Sequence, residues 1–192
     1  IEVSTPVQAG CIPPMMDWQD VIAKAPTGTG KTFAFGIPMV EHIDPREDAV
    51  QGLVLAPTRE LAIQIMAELR DLCEFKEGVR AVVLYGGQPI DKQITQLKKR
   101  PQIVVATPGR LMDHMKRRTV RLDRVQTVVL DEADRMLDMG FIHDVTRILD
   151  AIKSRKNLGM FSATISREVM DISWVYQRDP VEITVRADEQ NK

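Results

Sequence analysis

One short run of residues has the composition of a loop that binds phosphate groups; it reads Ala25-Pro26-Thr27-Gly28-Thr29-Gly30-Lys31-Thr32. Glycines allow backbone N–H groups to turn toward phosphate oxygens and approach them closely. The amine of Lys31 can reach the outer phosphates of a nucleotide, and the hydroxyl of Thr32 can coordinate Mg²⁺. The general pattern has glycine where this chain has Ala25, and every other position of the pattern matches. The run predicts a nucleoside triphosphate site, and the alternative is a glycine-rich turn with a chance lysine.

A second run, Asp131-Glu132-Ala133-Asp134, directly follows the apolar stretch Val125–Leu130. An acid delivered to the end of a buried strand suits a ligand of Mg²⁺, so Asp131 is the candidate. The neighbouring Glu132 is placed to orient or polarise an attacking water. Two adjacent acids repel each other unless they share a cation. The alternative is an acidic helix start favoured by the helix dipole, and the upstream phosphate loop makes the metal site the stronger interpretation.

Apolar runs bounded by turn residues recur along the chain and predict buried strands. They are Asp20–Ala25, Gly52–Ala56, Val79–Tyr85, Gln102–Ala106, Val125–Leu130 and Asn157–Phe161. Helical spacing between them is shown by Leu61, Ile65, Leu69 and Leu72, by Ile90, Ile94 and Leu97, and by a helix start at Thr107-Pro108. This alternation predicts an α/β fold, a three-layer domain with a mostly parallel central sheet flanked by helices. Such sheets bind ligands at the carboxyl ends of their strands, where both runs above lie.

The composition is that of one folded domain outside a membrane. The chain has 192 residues, of which 44% are hydrophobic and 28% charged. No apolar run approaches the roughly 20 residues that span a bilayer, and no secretory signal opens the chain, so we expect a cytoplasmic protein without membrane contact. Cys11 and Cys73 have no metal-binding spacing and are predicted to be free thiols. Because the chain begins at Ile1 and ends in a charged stretch, we expect residues 1–192 to be one domain of a longer protein.

The formal net charge of −1 means that any nucleic acid must bind a local basic surface. Two basic clusters are present, Lys98-Lys99-Arg100 and Lys116-Arg117-Arg118, the second followed by Arg121 and Arg124. They could extend a nucleic-acid path, or they could be the solvated ends of helices, where cations are favourable. The sequence leaves both interpretations open.

Seven short motifs together resemble the DEAD-box RNA helicase family and occur in that family's order. They are Ser4–Gln8 (the Q motif), Ala25–Thr32 (the phosphate loop), Pro57–Ala62 (motif Ia), Gly86-Gly87 (the double glycine), Thr107–Arg110 (motif Ib), Asp131–Asp134 (the tetrapeptide that names the family) and Ser162–Thr164 (motif III). The resemblance spans nearly the whole chain and implies the first RecA-like P-loop lobe of an ATP-dependent RNA helicase. Ser4 and Val7 are mild departures from the usual proline and isoleucine. The family's upstream aromatic residue, which stacks on adenine, would lie before Ile1, and without it adenine affinity would be weaker.

For the nucleotide, the resemblance implies that Gln8 reads adenine through both ends of its amide and so selects ATP over GTP. The loop Ala25–Thr32 would cradle the triphosphate. Catalysis would depend on Lys31, Asp131 and Glu132, with Mg²⁺ held by Thr32 and Asp131. The coupling of nucleotide state to RNA would run through hydrogen bonds from Ser162 and Thr164 to the Asp134 region; a helix cap is the alternative for Thr164.

For RNA, the resemblance implies contacts from turns and helix starts at Pro57, Thr58, Arg59, Gly87, Thr107, Gly109 and Arg110. Such residues contact the phosphate backbone, which carries no base information, so binding should be sequence-nonspecific. Ordinary solvated arginines are the alternative for Arg59 and Arg110.

The resemblance also implies a partner, the family's second RecA-like lobe with its motifs IV to VI and its arginine fingers, and nothing after Ile165 resembles it. We therefore expect the isolated lobe to be monomeric, to bind ATP weakly, to hydrolyse it very slowly and not to unwind RNA. Two rivals remain. One is another RecA-like ATPase such as a DNA helicase, which shares the phosphate loop and the carboxylates but has no reason to carry Gln8, Pro57–Ala62, Thr107–Arg110 and Asp131–Asp134 in one chain. The other is an ATP-gated RNA clamp or scaffold with slow turnover.

Overall fold

A computed structural model describes residues 5–26 and 30–186. Its centre is a seven-stranded sheet in the order β3-β4-β2-β5-β6-β1-β7, and every pairing is parallel. The strands are β1 (Val21–Lys24), β2 (Gly52–Leu55), β3 (Ala81–Leu84), β4 (Ile103–Ala106), β5 (Thr127–Leu130), β6 (Asn157–Ser162) and β7 (Val181–Thr184). The six predicted strands are thus confirmed, five with shorter bounds and β6 with one residue more, and β7 is an addition that the apolar pattern does not indicate.

In the described residues eight helices accompany these strands; α1 precedes β1, and the others lie between strands in the chain. They are α1 (Pro6–Met16), α2 (Lys31–His42), α3 (Arg59–Cys73), α4 (Ile90–Leu97), α5 (Pro108–Arg117), α6 (Ala133–Asp138), α7 (Ile142–Ala151) and α8 (Arg167–Tyr176). Local chemistry sets several starts, because a side-chain oxygen that accepts a hydrogen bond from an early helical N–H satisfies a donor with no partner inside the helix. Thr58 caps α3 in this way through Leu61 N, and Ser166 caps α8 through Val169 N.

The sheet is buried on both faces because its side chains alternate between two separate cores. Leu53 and Leu55 belong to one core, and Val54 and Ala56 belong to the other. The first core is covered by α4, α5, α6, α7 and α8, and the second by α1, α2 and α3. This confirms the three-layer α/β fold, and it explains why the strands read as continuous apolar runs.

The register brings the carboxyl ends of neighbouring strands level with one another. Leu55 of β2 is aligned with Ala106 of β4 on one side and with Leu130 of β5 on the other. Lys24 of β1 is aligned with Ser162 of β6. The loops that follow these strands therefore share one edge of the sheet, which we call the carboxyl edge, and the opposite edge is the amino edge.

The structure also bears on the two cysteines and on the length of the apolar helices. Cys11 and Cys73 are free, as expected; Cys11 is buried, Cys73 only partly so, and burial raises the pKa of the Cys11 thiol to about 12. Within residues 5–26 and 30–186, no helix is both long enough and apolar enough to cross a membrane.

Candidate functional site

The carboxyl edge is divided into two halves by strand order. The loops after β1 and β5, with the end of β6, carry the phosphate loop, the Asp131–Asp134 run and the Ser162–Thr164 motif. The loops after β2, β3 and β4 carry the three predicted RNA motifs. Because β2 and β5 are neighbours, the nucleotide half and the RNA half meet in the middle of the sheet. The topology thus gathers motifs that are spread over most of the chain.

A buried ion pair lies at the centre of the nucleotide half. The ammonium of Lys31, the first residue of α2, is 3.4 Å from Oδ1 of Asp131, and both side chains are nearly inaccessible to solvent. Burial raises the pKa of Asp131 above its ordinary value, although the Lys31 charge acts in the opposite direction. Thr32 is buried in the next position of α2. A lysine and a carboxylate are therefore paired where β1 and β5 end, and Thr32 follows the lysine in the chain.

Glu132 has an uncommon backbone conformation for a residue that is not glycine, with φ 50° and ψ 52°. Its N–H donates to Asp131 Oδ1 at 3.0 Å, and its carboxylate lies 3.6 Å from the guanidinium of Arg135. Left-handed backbone at such a residue costs about 1–3 kcal/mol and is concentrated at functional sites. The turn directs two adjacent carboxylates differently, with Asp131 toward Lys31 and Glu132 toward Arg135.

The start of α1 is hydrogen-bonded to the end of the phosphate loop. Thr5 and Gln8 form a reciprocal capping box, in which Thr5 Oγ1 accepts from Gln8 N and Gln8 Oε1 accepts from Thr5 N, both at 3.3 Å. The other end of the Gln8 amide donates from Nε2 to the carbonyl of Gly30 at 3.3 Å. One lone pair of Oε1 and one N–H of Nε2 remain for a ligand. Gln8, which is 4% exposed, therefore holds the start of α1 against the loop.

An apolar cavity of about 370 Å³ opens beside this contact. Its lining includes Gln8 and Gly30 together with three apolar residues that the sequence does not indicate as site residues, Phe33, Leu72 and Phe75. Phe75 is 89% exposed, which is unusual for so large an apolar side chain. The position next to the phosphate loop suits a flat nucleobase. Of the remaining predicted loop residues, Ala25 is buried and donates its N–H to Ser162 O at 3.0 Å, and Pro26 is partly buried; Thr27, Gly28 and Thr29, like Ser4, lie outside the described residues.

Asp134 and the Ser162–Thr164 motif form a closed set of hydrogen bonds. Thr164 donates to Asp134 Oδ2 from its backbone N–H at 3.1 Å and from its hydroxyl at 2.9 Å. Asp134 N donates to Ser162 Oγ at 3.1 Å, and the Ser162 hydroxyl donates to Thr164 O at 2.6 Å. Burial acts to raise the pKa of Asp134, but the bonds from Thr164 and from Arg135 N outweigh it, so the pKa lies below its ordinary value. The ends of β5 and β6 are thereby joined through side chains.

In the RNA half, the double glycine lies beside motif Ia. The guanidinium of Arg59 stacks on the ring of Tyr85, 5.1 Å from its centroid, and a Cβ added to Gly87 would lie 3.5 Å from Arg59 Nη1. Arg59 is exposed, Thr58 is half-buried and Pro57 is buried. Gly87 has φ +91°, and Gly109, the second residue of α5, faces open space, so the backbone is accessible at both glycines. Thr107 is the N-cap residue of α5, as predicted, although its side chain makes no capping hydrogen bond.

Arg110 is held by the protein rather than presented to solvent. Its side chain is 14% exposed and donates to Gln88 O at 2.8 Å and to Gln93 Oε1 at 3.2 Å. In these contacts Arg110 fixes the double-glycine turn, which a solvated arginine would not do. A direct bond from its guanidinium to RNA phosphate would require these contacts to rearrange.

Behind Arg110 lies a buried polar network that the sequence does not reveal. Gln93 is fully buried, and its Nε2 donates to Tyr85 O. Its Oε1, which can only accept, lies 2.9 Å from His114 Nε2. His114 therefore carries its proton on Nε2, and Nδ1 accepts from the Thr119 hydroxyl at 2.8 Å. Burial, together with the charge of Arg110, lowers the pKa of His114, so the ring is neutral. The network supports the double-glycine turn from below.

The side chains of the nucleotide half can be compared with the ligands that metal ions prefer. Among the described residues, no group of three or more His, Cys, Asp and Glu side chains could hold a metal by itself. Asp131, Glu132 and Thr32 nevertheless supply the hard oxygen atoms that Mg²⁺ prefers, and Mg²⁺ is usually bound through few protein ligands together with water and substrate phosphates. The residues present therefore fit Mg²⁺ that arrives with a nucleotide.

Gly30 offers a direct test of this geometry. It has φ +81°, and a Cβ there would lie 2.7 Å from Thr5 Oγ1 and 2.8 Å from Gln8 Nε2. We expect Gly30→Ala to lower the free energy of unfolding by about 1–2 kcal/mol and to weaken nucleotide binding by at least about tenfold, because the loop and Gln8 must move apart. Thermal unfolding and nucleotide titration measure the two effects. Gly109→Ala, where a Cβ meets no atom, is the matched control; equal effects at both glycines would contradict the assignment.

Comparison with known proteins finds relatives that are similar in sequence and in structure. A family model described as DEAD/DEAH box helicase matches residues 5–172. The DEAD-box ATP-dependent RNA helicase CshA of Bacillus cereus is 48% identical over 188 residues, which cover 98% of this chain and 36% of that protein. A solved DEAD box protein from the hyperthermophile Methanococcus jannaschii has 40% identity and a TM-score of 0.90, and the match covers 96% of this chain and 50% of that one. The yeast DEAD-box splicing factor Prp28 has 31% identity and a TM-score of 0.92, with 97% and 46% covered. The chain spans little more than a third of the Bacillus relative's length.

Proposed function

This chain belongs to the DEAD/DEAH box helicase family, and from that membership we propose that it is the ATP-binding lobe of an ATP-dependent RNA helicase. It binds ATP with Mg²⁺ and the backbone of single-stranded RNA, and it hydrolyses ATP to drive local duplex unwinding when a second lobe closes on it. The observation that supports this most directly is the carboxyl edge, where nucleotide motifs and RNA motifs are adjacent across β2 and β5. Residues 1–192 constitute one RecA-like domain in this proposal.

The nucleotide half supplies each function that ATP binding requires. Lys31 binds the outer phosphates. In the structure its ammonium is paired with Asp131, which is negatively charged as the phosphates are. Mg²⁺, held by Thr32 and Asp131, would neutralise the charge on the phosphates. Glu132 positions the attacking water. The free lone pair and N–H of Gln8 face adenine, which offers a donor and an acceptor in matching order, whereas guanine offers an acceptor where Gln8 also accepts.

The RNA half binds phosphates without reading bases. Arg59 is an exposed cation held by Tyr85, and the open backbone at Gly87 and Gly109 permits close approach of an RNA phosphate. Thr107 places the N-terminus of α5 nearby, where N–H groups favour an anion. Arg110 contributes by holding the turn that carries Gly87.

Coupling of nucleotide state to RNA depends on the hydrogen bonds that Thr164 donates to Asp134 and on the one that Asp134 N donates to Ser162 Oγ. Asp134 lies in the same turn as Asp131 and Glu132, so a nucleotide that shifts this turn must also shift the end of β6. Closure of two lobes over RNA is then a population shift, in which ATP and RNA together favour the closed state. Hydrolysis and product release reverse it.

The discriminating experiment is a titration with fluorescent ADP and, separately, GDP, both with Mg²⁺. We expect ADP to bind about tenfold or more tightly than GDP, and Gln8→Ala to remove that preference. Gln64→Ala, an exposed glutamine on α3, is the control and should keep the preference. If the unaltered chain binds ADP and GDP equally, the phosphate loop retains its role but the role of Gln8 is wrong.

A further inference from the structure

Five cations of the two basic clusters line one groove on the side of the sheet opposite to the proposed RNA surface. Lys98 and Arg100 precede β4, and the segment 118–124 precedes β5, so both lie at the amino edge. There they line a groove of about 550 Å³, which we call the amino-edge groove. Its cations are Lys98, Arg100, Arg118, Arg121 and Arg124. The clusters therefore do not extend the RNA path of the carboxyl edge, from which strands about 13 Å long separate them.

Most of this positive charge has no intramolecular partner. Within the described part of the chain, no carboxylate lies at ion-pair distance from Lys98, Arg100, Arg118 or Arg121. Arg124 has a distant carboxylate partner, Glu47, at 3.9 Å. Of the two acids that line the groove, Asp48 is already paired with Arg80 at 3.1 Å, and Asp123 remains. The groove thus attracts anions although the whole chain carries a charge of −1.

The groove is also held in shape. The Arg80 side chain donates to Lys99 O at 3.1 Å and to Arg100 O at 2.7 Å, which fixes the turn that carries Lys98 and Arg100. The backbone of Arg118 is in the left-handed region and ends α5 through hydrogen bonds from its own N–H. Cations on a fixed frame lose less conformational freedom when they bind an anion.

We propose that the amino-edge groove is a second binding site for the phosphate backbone of duplex RNA. Arginine predominates among its cations, and the guanidinium fork matches phosphate geometry. Among its described lining residues there is no aromatic or methionine side chain. Protein interfaces and single-stranded RNA sites both rely on such side chains, whereas the backbone of a duplex needs only charge. The groove would hold the duplex part of an RNA whose single-stranded part extends to the carboxyl edge.

This inference rests on the proposed function only in taking RNA as the ligand. The test uses two RNAs, a short oligouridylate and a hairpin that carries the same oligouridylate as a 3′ tail. We expect Lys98→Gln/Arg121→Gln to weaken hairpin binding about tenfold at low salt and to lower the slope of log K against log salt by about 2. Oligouridylate binding should not change. Lys98→Glu/Arg121→Glu should have a larger effect, with melting temperatures confirming that both variants fold.

The matched control removes the same charge elsewhere. Arg70→Gln/Arg147→Gln neutralises two exposed cations on α3 and α7, on the two faces of the sheet, and should leave hairpin binding intact. Equal losses in both pairs, or no loss in the groove pair, would overturn the proposal, and the latter result would point to an acidic protein segment instead. Arg59→Ala separates this outcome from failure of the proposed function, because it should weaken binding of both RNAs. If only the groove pair has an effect, the groove stands and the carboxyl-edge RNA surface does not.

Discussion

Replacement of Lys31 by alanine should weaken binding of Mg²⁺-ADP and Mg²⁺-ATP by at least about 100-fold. The Lys31 ammonium is buried, and its charge is already used in a low-dielectric site, 3.4 Å from Asp131. In the proposed site a nucleotide phosphate would replace Asp131 as the partner of an ammonium that is already desolvated. Without the ammonium, the phosphate would instead face the Asp131 carboxylate, and repulsion would replace attraction.

The same substitution should affect stability in a separable way. Asp131 would remain buried without its cation, and loss of one partner of a buried pair costs roughly 3–5 kcal/mol. Because burial already raises the pKa of Asp131, protonation of the carboxyl should reduce that cost. We expect Lys31→Ala/Asp131→Asn to recover the free energy of unfolding but not nucleotide binding. The double variant therefore distinguishes a misfolded chain from a lost phosphate contact.

Isothermal titration and urea unfolding measure both effects. Lys24→Ala is the matched control, because Lys24 is an exposed lysine at the end of β1, before the same loop. Nucleotide affinity within threefold of the unaltered chain in Lys31→Ala, or recovery of binding in the double variant, would show that Lys31 does not hold the phosphates.

The central strands are predictable because burial on both faces leaves a direct trace in the sequence. In β2 and β4 every residue is buried, so each strand reads as an uninterrupted apolar run. The edge strand β7 leaves no such trace, since exposed Glu182 and Thr184 alternate with partly buried neighbours. Its position depends instead on long-range contacts, such as that of Asp20, whose carboxylate accepts from Leu158 N and Arg178 N. No local pattern encodes contacts of that length.

The site follows the same division. Motif residues at strand ends, such as Lys31 and Asp131, can be located from sequence because parallel strands deliver their loops to one edge. The partners of Arg110 cannot, because Gln93 lies on another helix and is identified only by its buried contacts. Phe75 likewise reaches the cavity beside Gln8 from the end of α3. Sequence spacing thus locates the groups that do chemistry, and tertiary packing determines which of them are free to do it.

The second large effect should come from joining this chain to a second RecA-like lobe. Among the described residues of the proposed nucleotide site, Lys31 is the cation that could contact the phosphates. Arg135 is paired with Glu132 at 3.6 Å. Charge that develops in the transition state of phosphoryl transfer requires more cations than this, and an arginine finger contributes about 10³–10⁵ in rate in related GTPases. We therefore expect the isolated chain to hydrolyse ATP very slowly and not to separate RNA strands.

A single polypeptide that joins this chain to the second lobe of a relative should hydrolyse ATP at least about 10³-fold faster in the presence of RNA. Steady-state phosphate release and separation of a labelled short duplex are the measurements. Glu132→Gln in the joined protein is the control that should return hydrolysis to the rate of the isolated lobe while ATP is still bound, since the water would lose its carboxylate. Robust unwinding by the isolated chain would contradict the division of labour between lobes. If the joined protein instead holds RNA tightly with ATP and hydrolysis stays at the isolated rate, the chain belongs to an ATP-gated clamp, because closure would then occur without the chemistry that reopens it.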